Sequence, residues 1–388
     1  MNVINICQDL IQAKSYSGEE GQVVKVVETI MKELDFDEIK TDKYGNIYGI
    51  FIGDKPGPSQ VYDAHIDTVV VPDESKWKHK PFGGEIEDGK LYGRGTTDMK
   101  GALAAMLLGA SQFVKETKGN FAGRICVVGV VHEECFEGVA AREISKNLKP
   151  DYVIIGEASS LNLKHGQRGR AEVVIETFGK PAHSASPEKG INAVYLMTQA
   201  VNEVSKIEPV NDLKLGKGIL ALTDIISSPY PGASVIPDYC KTTWDRRLLV
   251  GETKESVLQP IEGILKDLED RIPDFKAKVS LAKEEVLCYT GERIGDERFF
   301  PGWYYDDQLS FVSKTYENLL KAGFKSELTH YDFCTNGSHY AGEAGIKTIG
   351  FGPSRETLAH TIDEYVEIDQ LEKAVIGYKI IMDTLEKM

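Results

Sequence analysis

A chain of 388 residues is longer than one hydrophobic core ordinarily organises, so two domains are expected, one of them able to sit as an insertion in the other. Hydrophobic residues at 41% and charged residues at 27% are ordinary for a folded globular protein and exclude collagen-like or disordered character. A formal net charge of -15 with no compensating Lys/Arg run argues against nucleic acid and against anionic membrane surfaces as partners.

The opening MNVINICQDLIQAKSYSGEE has no basic start followed by a long apolar core, and no later stretch reaches the roughly 18 uninterrupted apolar residues of a membrane span. The expected location is cytoplasmic. Cys7, Cys126, Cys135, Cys240, Cys288 and Cys334 are scattered without a Cys-x-x-Cys pair, so buried free thiols are expected rather than a disulfide framework or a thiolate zinc site.

From Ser17, read as an N-cap, apolar residues at Val23, Val24, Val27, Ile30, Met31 and Leu34 have the spacing of an amphipathic helix, the first expected element. Short β-rich runs follow at NIYGIFIG and SQVYDAHID, then a helix at GALAAMLLGASQFV, an apolar run GRICVVGVVHEE, a helical VAAREISKNL and a strand DYVIIGEAS. Apolar runs without polar alternation, such as ICVVGVV and YVIIG, suit strands covered on both faces. The expected fold is therefore α/β, a mostly parallel sheet with helices on both sides.

After about residue 166 the texture changes. RAEVVIETF, LALTDI, CKTTWDRRLLV and KAKVSLA read as strands and INAVYLMTQAVNEVSKI and TKESVLQPIEGILKDLEDRI as helices, which predicts a smaller α+β unit. A helix near DDQLSFVSKTYENLLKA, a strand at KTIGFG and a closing helix in DQLEKAVIGYKIIMDTLEKM resume the first texture. The expected division is 1–166 and 291–388 for the larger domain, with 167–290 inserted.

The chemistry-bearing residues cluster at expected strand ends. Strand alternation puts His65 and Asp67 on one side, so one can bind a cation while the other orients it; a turn aspartate is the plain alternative. Asp98, in YGRGTTDMKG, sits at a Gly-rich turn directly before a helix, where an N-cap is the plain alternative. Glu133 and Glu134 end a buried strand at the edge where open α/β sheets place ligands, and one can bind metal while the other moves a proton. Glu157 in GEAS and His360 in LAHTIDE reach the same edge. Neither GRG nor GFGPS has a Walker or dinucleotide fingerprint, so phosphate binding is not expected. His79, His132, His165, His330 and His339 are read as surface or packed side chains, with alternation turning His132 away from the face of Glu133.

The order DAHIDTV, YGRGTTDMKG, VHEE, GEAS and LAHTIDE resembles the zinc-dependent aminoacylase-type metallopeptidase family, which includes acetylornithine deacetylase, succinyl-diaminopimelate desuccinylase and di- and tripeptidases. The resemblance covers nearly the whole chain. It implies His65, Asp98 and Glu157 around one divalent ion and Asp98, Glu134 and His360 around a second, with Asp98 bridging and a cis peptide at Asp98-Met99. Nitrogen and oxygen ligands suit zinc, and cobalt or manganese fit the same set. It further implies Glu133 as general base, Asp67 as a catalytic residue, and His183 in GKPAHSASPEKG as an oxyanion donor delivered across a homodimer formed by the inserted lid domain.

Arg247 matches the family's Asp-x-Arg position, and alternation sends Arg246 to the opposite face; an ion pair with Asp245 is the plain alternative. Ser234 in ASVIPD and Asn336 in FCTNG stand where many relatives carry Asn and Asp, and both are candidate substrate contacts. The expected activity is hydrolysis of an N-acyl amino acid or related small carboxylate, with a di- or tripeptidase as the alternative and a catalytically idle metal-binding relative as the third reading.

Overall fold

The computed structural model describes residues Met1–Met388. It divides into two compact units, Met1–Gln167 with Glu285–Asp296 and Trp303–Met388, and Arg168–Glu284 with Glu297–Gly302.

The first unit is built on a nine-stranded sheet whose centre runs Ala122–Val130, Lys55–His65, Tyr152–Ile155, Lys347–Gly350. These four strands are mutually parallel, so their carboxyl ends lie along one edge, the edge that parallel α/β sheets leave open for ligands. Outer strands are antiparallel, as at Ile47–Ile52 on Ala122–Val130. Burial along the central strands is nearly continuous, with every residue from Ile125 to Val130 buried, as both-face cover by helices requires. The helix Lys100–Thr117 is buried on almost every side because it lies between the sheet and the helices Val3–Gln12 and Ile368–Leu385. A Cβ at Gly109 would stand 3.2 Å from the Val375 carbonyl, so glycine sets how closely that last helix packs.

Two local expectations change. A helix Val3–Gln12, with Val3, Ile6, Cys7, Leu10 and Ile11 on its buried face, precedes the first expected element. Ser17 is not a helix cap: the next helix starts at Gly21 after Glu20, and the Ser17 hydroxyl donates to Asp67 instead. No helix is long and apolar enough to cross a membrane.

The second unit is a five-stranded antiparallel sheet in the order Ile219–Ser228, Tyr239–Leu248, Gly169–Phe178, Ala277–Leu281, with Phe299–Phe300 also paired to Gly169–Phe178. Helices Ala193–Val204 and Lys254–Arg271 bury Val173, Ile175, Met197, Trp244 and Leu265 between themselves and the sheet. The strand Tyr239–Leu248 alternates strictly, so Trp244 and Arg246 point into this core while Arg247 lies on the other face. The unit closes at Glu284 rather than 290 and takes back Glu297–Gly302. A two-residue strand is too short to show periodicity, which is why that return is invisible in sequence.

Candidate metal centre

Six side chains arrive at the open edge of the first unit. His65 is the last residue of Lys55–His65, and Glu133 and Glu134 follow Ala122–Val130. Glu157 follows Tyr152–Ile155, His360 lies on the loop after Lys347–Gly350, and Asp98 ends the turn before Lys100–Thr117. Asp98 does not cap that helix, whose N-cap is Met99, and the Asp98-Met99 peptide is cis.

The ligand atoms of His65, Asp98 and Glu157 lie within 4.8 Å of one another, as do those of Asp98, Glu134 and His360. Asp98 belongs to both groups, with Oδ1 2.7 Å from His65 Nε2 and Oδ2 3.0 Å from His360 Nε2. His360 Nε2 is also 3.0 Å from Glu134 Oε1, and His65 Nε2 is 3.6 Å from Glu157 Oε1. His65 Nδ1 faces the Asp67 carbonyl at 2.9 Å. A carbonyl can only accept, so Nδ1 donates to it, which leaves Nε2, facing the carboxylates, as the ring nitrogen available to a cation.

The Asp67 carboxylate serves the neighbouring turn. Its Oδ1 accepts from the Glu133 N–H at 3.1 Å and its Oδ2 from the Glu134 N–H at 3.2 Å and the Ser17 hydroxyl at 2.7 Å. The orienting contact to His65 therefore comes from the Asp67 main chain, because the strand ends at His65 and alternation stops there. Glu20 accepts from the His132 N–H at 3.2 Å and holds the same turn from the other side. His132 has φ 56°, so a left-handed turn rather than strand alternation directs its buried ring. Ser17 and Glu20 were both missed as site residues; the SGEE run reads as a helix start, which masks its long-range contacts.

Electrostatics favour cations here. Burial, then the charge of Asp98, pushes Glu157 well above the usual carboxylate range, and burial with the acids Glu157, Glu137 and Glu134 does the same to Glu133. Hydrogen bonds to Asp98 and Glu134 raise His360 to about 10. Burial alone would lower His65, but Asp98, Glu133 and Glu157 reverse it. Asp98 is lowered, since its two histidine contacts outweigh burial. Four acids against two imidazoles leave a buried excess of negative charge that divalent cations would neutralise, and the donor set, nitrogen and oxygen without thiolate, fits such ions. Glu133 belongs to neither ligand group, is 6% exposed, and its Oε1 has no hydrogen-bond partner.

Asn336 is also buried in this unit. Its amide donates to Asp63 at 3.0 Å and accepts from the Gly138 N–H at 2.9 Å, so a substrate contact there would cost two internal hydrogen bonds. His183, Ser234 and Arg247 belong to the second unit. His183 is exposed, and the Ala185 N–H donates to its Nδ1 at 3.0 Å, which leaves the ring proton on Nε2. Ser234, at φ 64°, accepts from the Ser184 N–H at 3.0 Å and so ties the two loops together. Arg247 Nε lies 2.7 Å from Asp245 Oδ1, the ion pair expected as its plain alternative.

Comparison with known proteins gives this geometry a family. The sequence profile described as peptidase family M20/M25/M40 matches residues 61–384. The chain belongs to that family. It is accordingly a metal-dependent hydrolase of amide bonds. It is 31% identical over 365 residues to the uncharacterized protein YgeY of Escherichia coli (strain K12), covering 92% of this chain and 88% of that protein. It is 28% identical over 390 residues to succinyl-diaminopimelate desuccinylase of Hydrogenovibrio crunogenus, covering 97% of each. Among solved structures, the YXEP protein of Bacillus subtilis, a dinuclear metal-binding peptidase, superposes with a TM-score of 0.72 at 14% identity over 100% of this chain and 98% of that one.

Proposed function

We propose that the protein is a deacylase that hydrolyses the amide of an N-acyl amino acid bearing a free carboxylate, using two divalent cations, zinc first among them. The observation that carries this reading is the Glu133 carboxyl, buried and with Oε1 unpartnered, beside two ligand groups that share Asp98. His65, Asp98 and Glu157 would hold one ion and Asp98, Glu134 and His360 the other. When bound, such ions polarise the scissile carbonyl and acidify a water. Glu133 takes the proton as the water oxygen bonds to the carbonyl carbon, then delivers it to the nitrogen as the C–N bond breaks. Asp67 acts through the turn it holds, fixing both glutamates by their amides.

Substrate recognition is assigned to Arg247. A site this rich in acids repels an anionic ligand unless a cation offsets it, and the guanidinium fork matches a carboxylate. Arg246 is spent inside the second unit on a buried ion pair with Glu252, whereas Arg247 stands on the opposite face. Arg247→Ala weakens kcat/KM for carboxylate substrates by about 2–5 kcal/mol and leaves carboxamide analogues as poor as before. A panel of N-acetyl, N-succinyl and N-carbamoyl amino acids, their carboxamides, and di- and tripeptides tests the reading. Equal wild-type cleavage of acids and carboxamides removes carboxylate recognition, and preference for peptides makes the enzyme a peptidase.

The assembly proposed is a homodimer through the second unit. Its sheet ends in the ten-residue strand Ile219–Ser228, whose Ile219, Leu222, Ile225 and Ile226 are exposed. A long apolar edge strand is a surface that pairs, and the occupant proposed is a second copy of this chain. His183, with its proton on Nε2, would then stabilise the developing oxyanion in the partner's site. Mixing inactive Glu133→Gln subunits with inactive His183→Ala subunits restores partial activity in heterodimers. No rescue despite measured subunit exchange would rule out a shared site.

A further inference from the structure

Two charged residues in the site motifs have no part in the chemistry above. Arg94, in YGRGTTDMKG, is 4% exposed and Glu364, four residues after His360, is 0% exposed. They form a buried ion pair through Arg94 Nη1 and Glu364 Oε2. The other oxygen, Glu364 Oε1, accepts from three main-chain donors of the turn that carries Asp98: the N–H of Gly95 at 3.0 Å, of Thr97 at 2.9 Å and of Asp98 at 3.2 Å. Arg94 Nη2 donates to the His360 carbonyl at 3.4 Å, and its guanidinium lies 5.2 Å from the centre of the Trp77 ring. Two main-chain tethers run in parallel, Gly93 N–H to the Glu364 carbonyl at 2.8 Å and Thr97 Oγ1 to the Tyr365 carbonyl at 2.7 Å.

The segments joined are the ones that most need joining. His65 is the end of a strand, Glu157 follows one closely, and Glu134 is held by Asp67. Asp98 and His360 instead ride on a turn and a loop, and His360 has φ 62°, a left-handed conformation that costs a non-glycine residue and persists only where its surroundings impose it. We infer that Arg94 and Glu364 are positioning residues that clamp the Asp98 turn to the His360 loop and thereby set the ligand group of Asp98, Glu134 and His360. Asp98 Oδ1 faces the strand-borne His65 and Oδ2 faces His360, so loosening the clamp separates the second pair far more than the first.

This inference rests on the reading that the two ligand groups hold metal, and its test keeps the two apart. Full-length protein, stripped of metal, is titrated with Co²⁺ alone while visible absorption and bound metal are followed, with thermal melting recorded on the same samples. Arg94→Lys keeps a cation beside Glu364 but loses the planar fork that also reaches the His360 carbonyl. It should fold, take up a first ion as wild type does, and bind the second at least about tenfold more weakly with an altered cobalt spectrum, as loss of an outer contact to a metal ligand does. Glu364→Gln should show the same pattern more strongly. Because it leaves Arg94 buried without its carboxylate it can fail to fold, and Arg94→Lys then decides alone. A lowered melting temperature with both ions bound at wild-type affinity and spectrum would show a purely structural pair and overturn the inference. Wild-type protein that takes up no Co²⁺ would instead overturn the metal reading, and the clamp with it.

Discussion

Replacing Glu133 with Gln leaves bound metal at the wild-type level and lowers kcat by about 10²- to 10⁴-fold, the usual contribution of a general acid–base group. The two effects separate because Glu133 lies outside both ligand groups, so its loss removes no donor atom. Its carboxyl sits among Glu157, Glu137 and Glu134, which together with burial raise its affinity for a proton. That affinity suits a group that must take a proton from water and then give it to the leaving nitrogen. The amide of Gln has the same shape and cannot accept the proton. The substitution also removes a buried acid, so no loss of folding stability is expected from charge. Turnover of Glu133→Gln within a few-fold of wild type would remove it from the role of base.

The strand-borne members of the proposed ligand set stood out in sequence as ends of apolar runs, whereas Asp98 and His360, on a turn and a loop, entered through the order of the family-like motifs. ICVVGVV leads through His132 into Glu133 and Glu134, YVIIG stops at Glu157, the strand within SQVYDAHID ends at His65, and parallel strands bring such stops to one edge. The Arg246/Arg247 division was legible for the same reason, since the strand there is regular and alternation holds. The misreadings fall where a local rule was carried past the end of its element. Asp67 and His132 were read as strand residues although their strands end at His65 and Val130. Ser17 satisfies a cap pattern locally, but its hydroxyl is drawn to a carboxylate 50 positions away. The tasks of Glu20, Arg94, Asn336 and Glu364 are hydrogen bonds to main-chain amides, carbonyls or acids of distant segments, and no periodicity or spacing records them.

Asp98→Ala has the second large effect, the loss of both ions together. Asp98 is the one side chain common to the two groups, and its two oxygens face different histidines at 2.7 Å and 3.0 Å. Without it each group keeps a single His and a single carboxylate, too few protein donors for the three or four that a zinc site of this type uses. The buried acids left behind would also repel one another without a shared cation, so the variant should be less stable as well as inactive. The measurement that bears most directly on the whole account is elemental analysis of wild type and Asp98→Ala beside hydrolysis of an N-acyl amino acid, before chelation, after it, and after zinc is restored. The account predicts up to two ions per wild-type chain, activity that vanishes with the metal and returns with it, and neither metal nor activity in Asp98→Ala; wild-type protein that hydrolyses the amide equally well with all metal removed would contradict it.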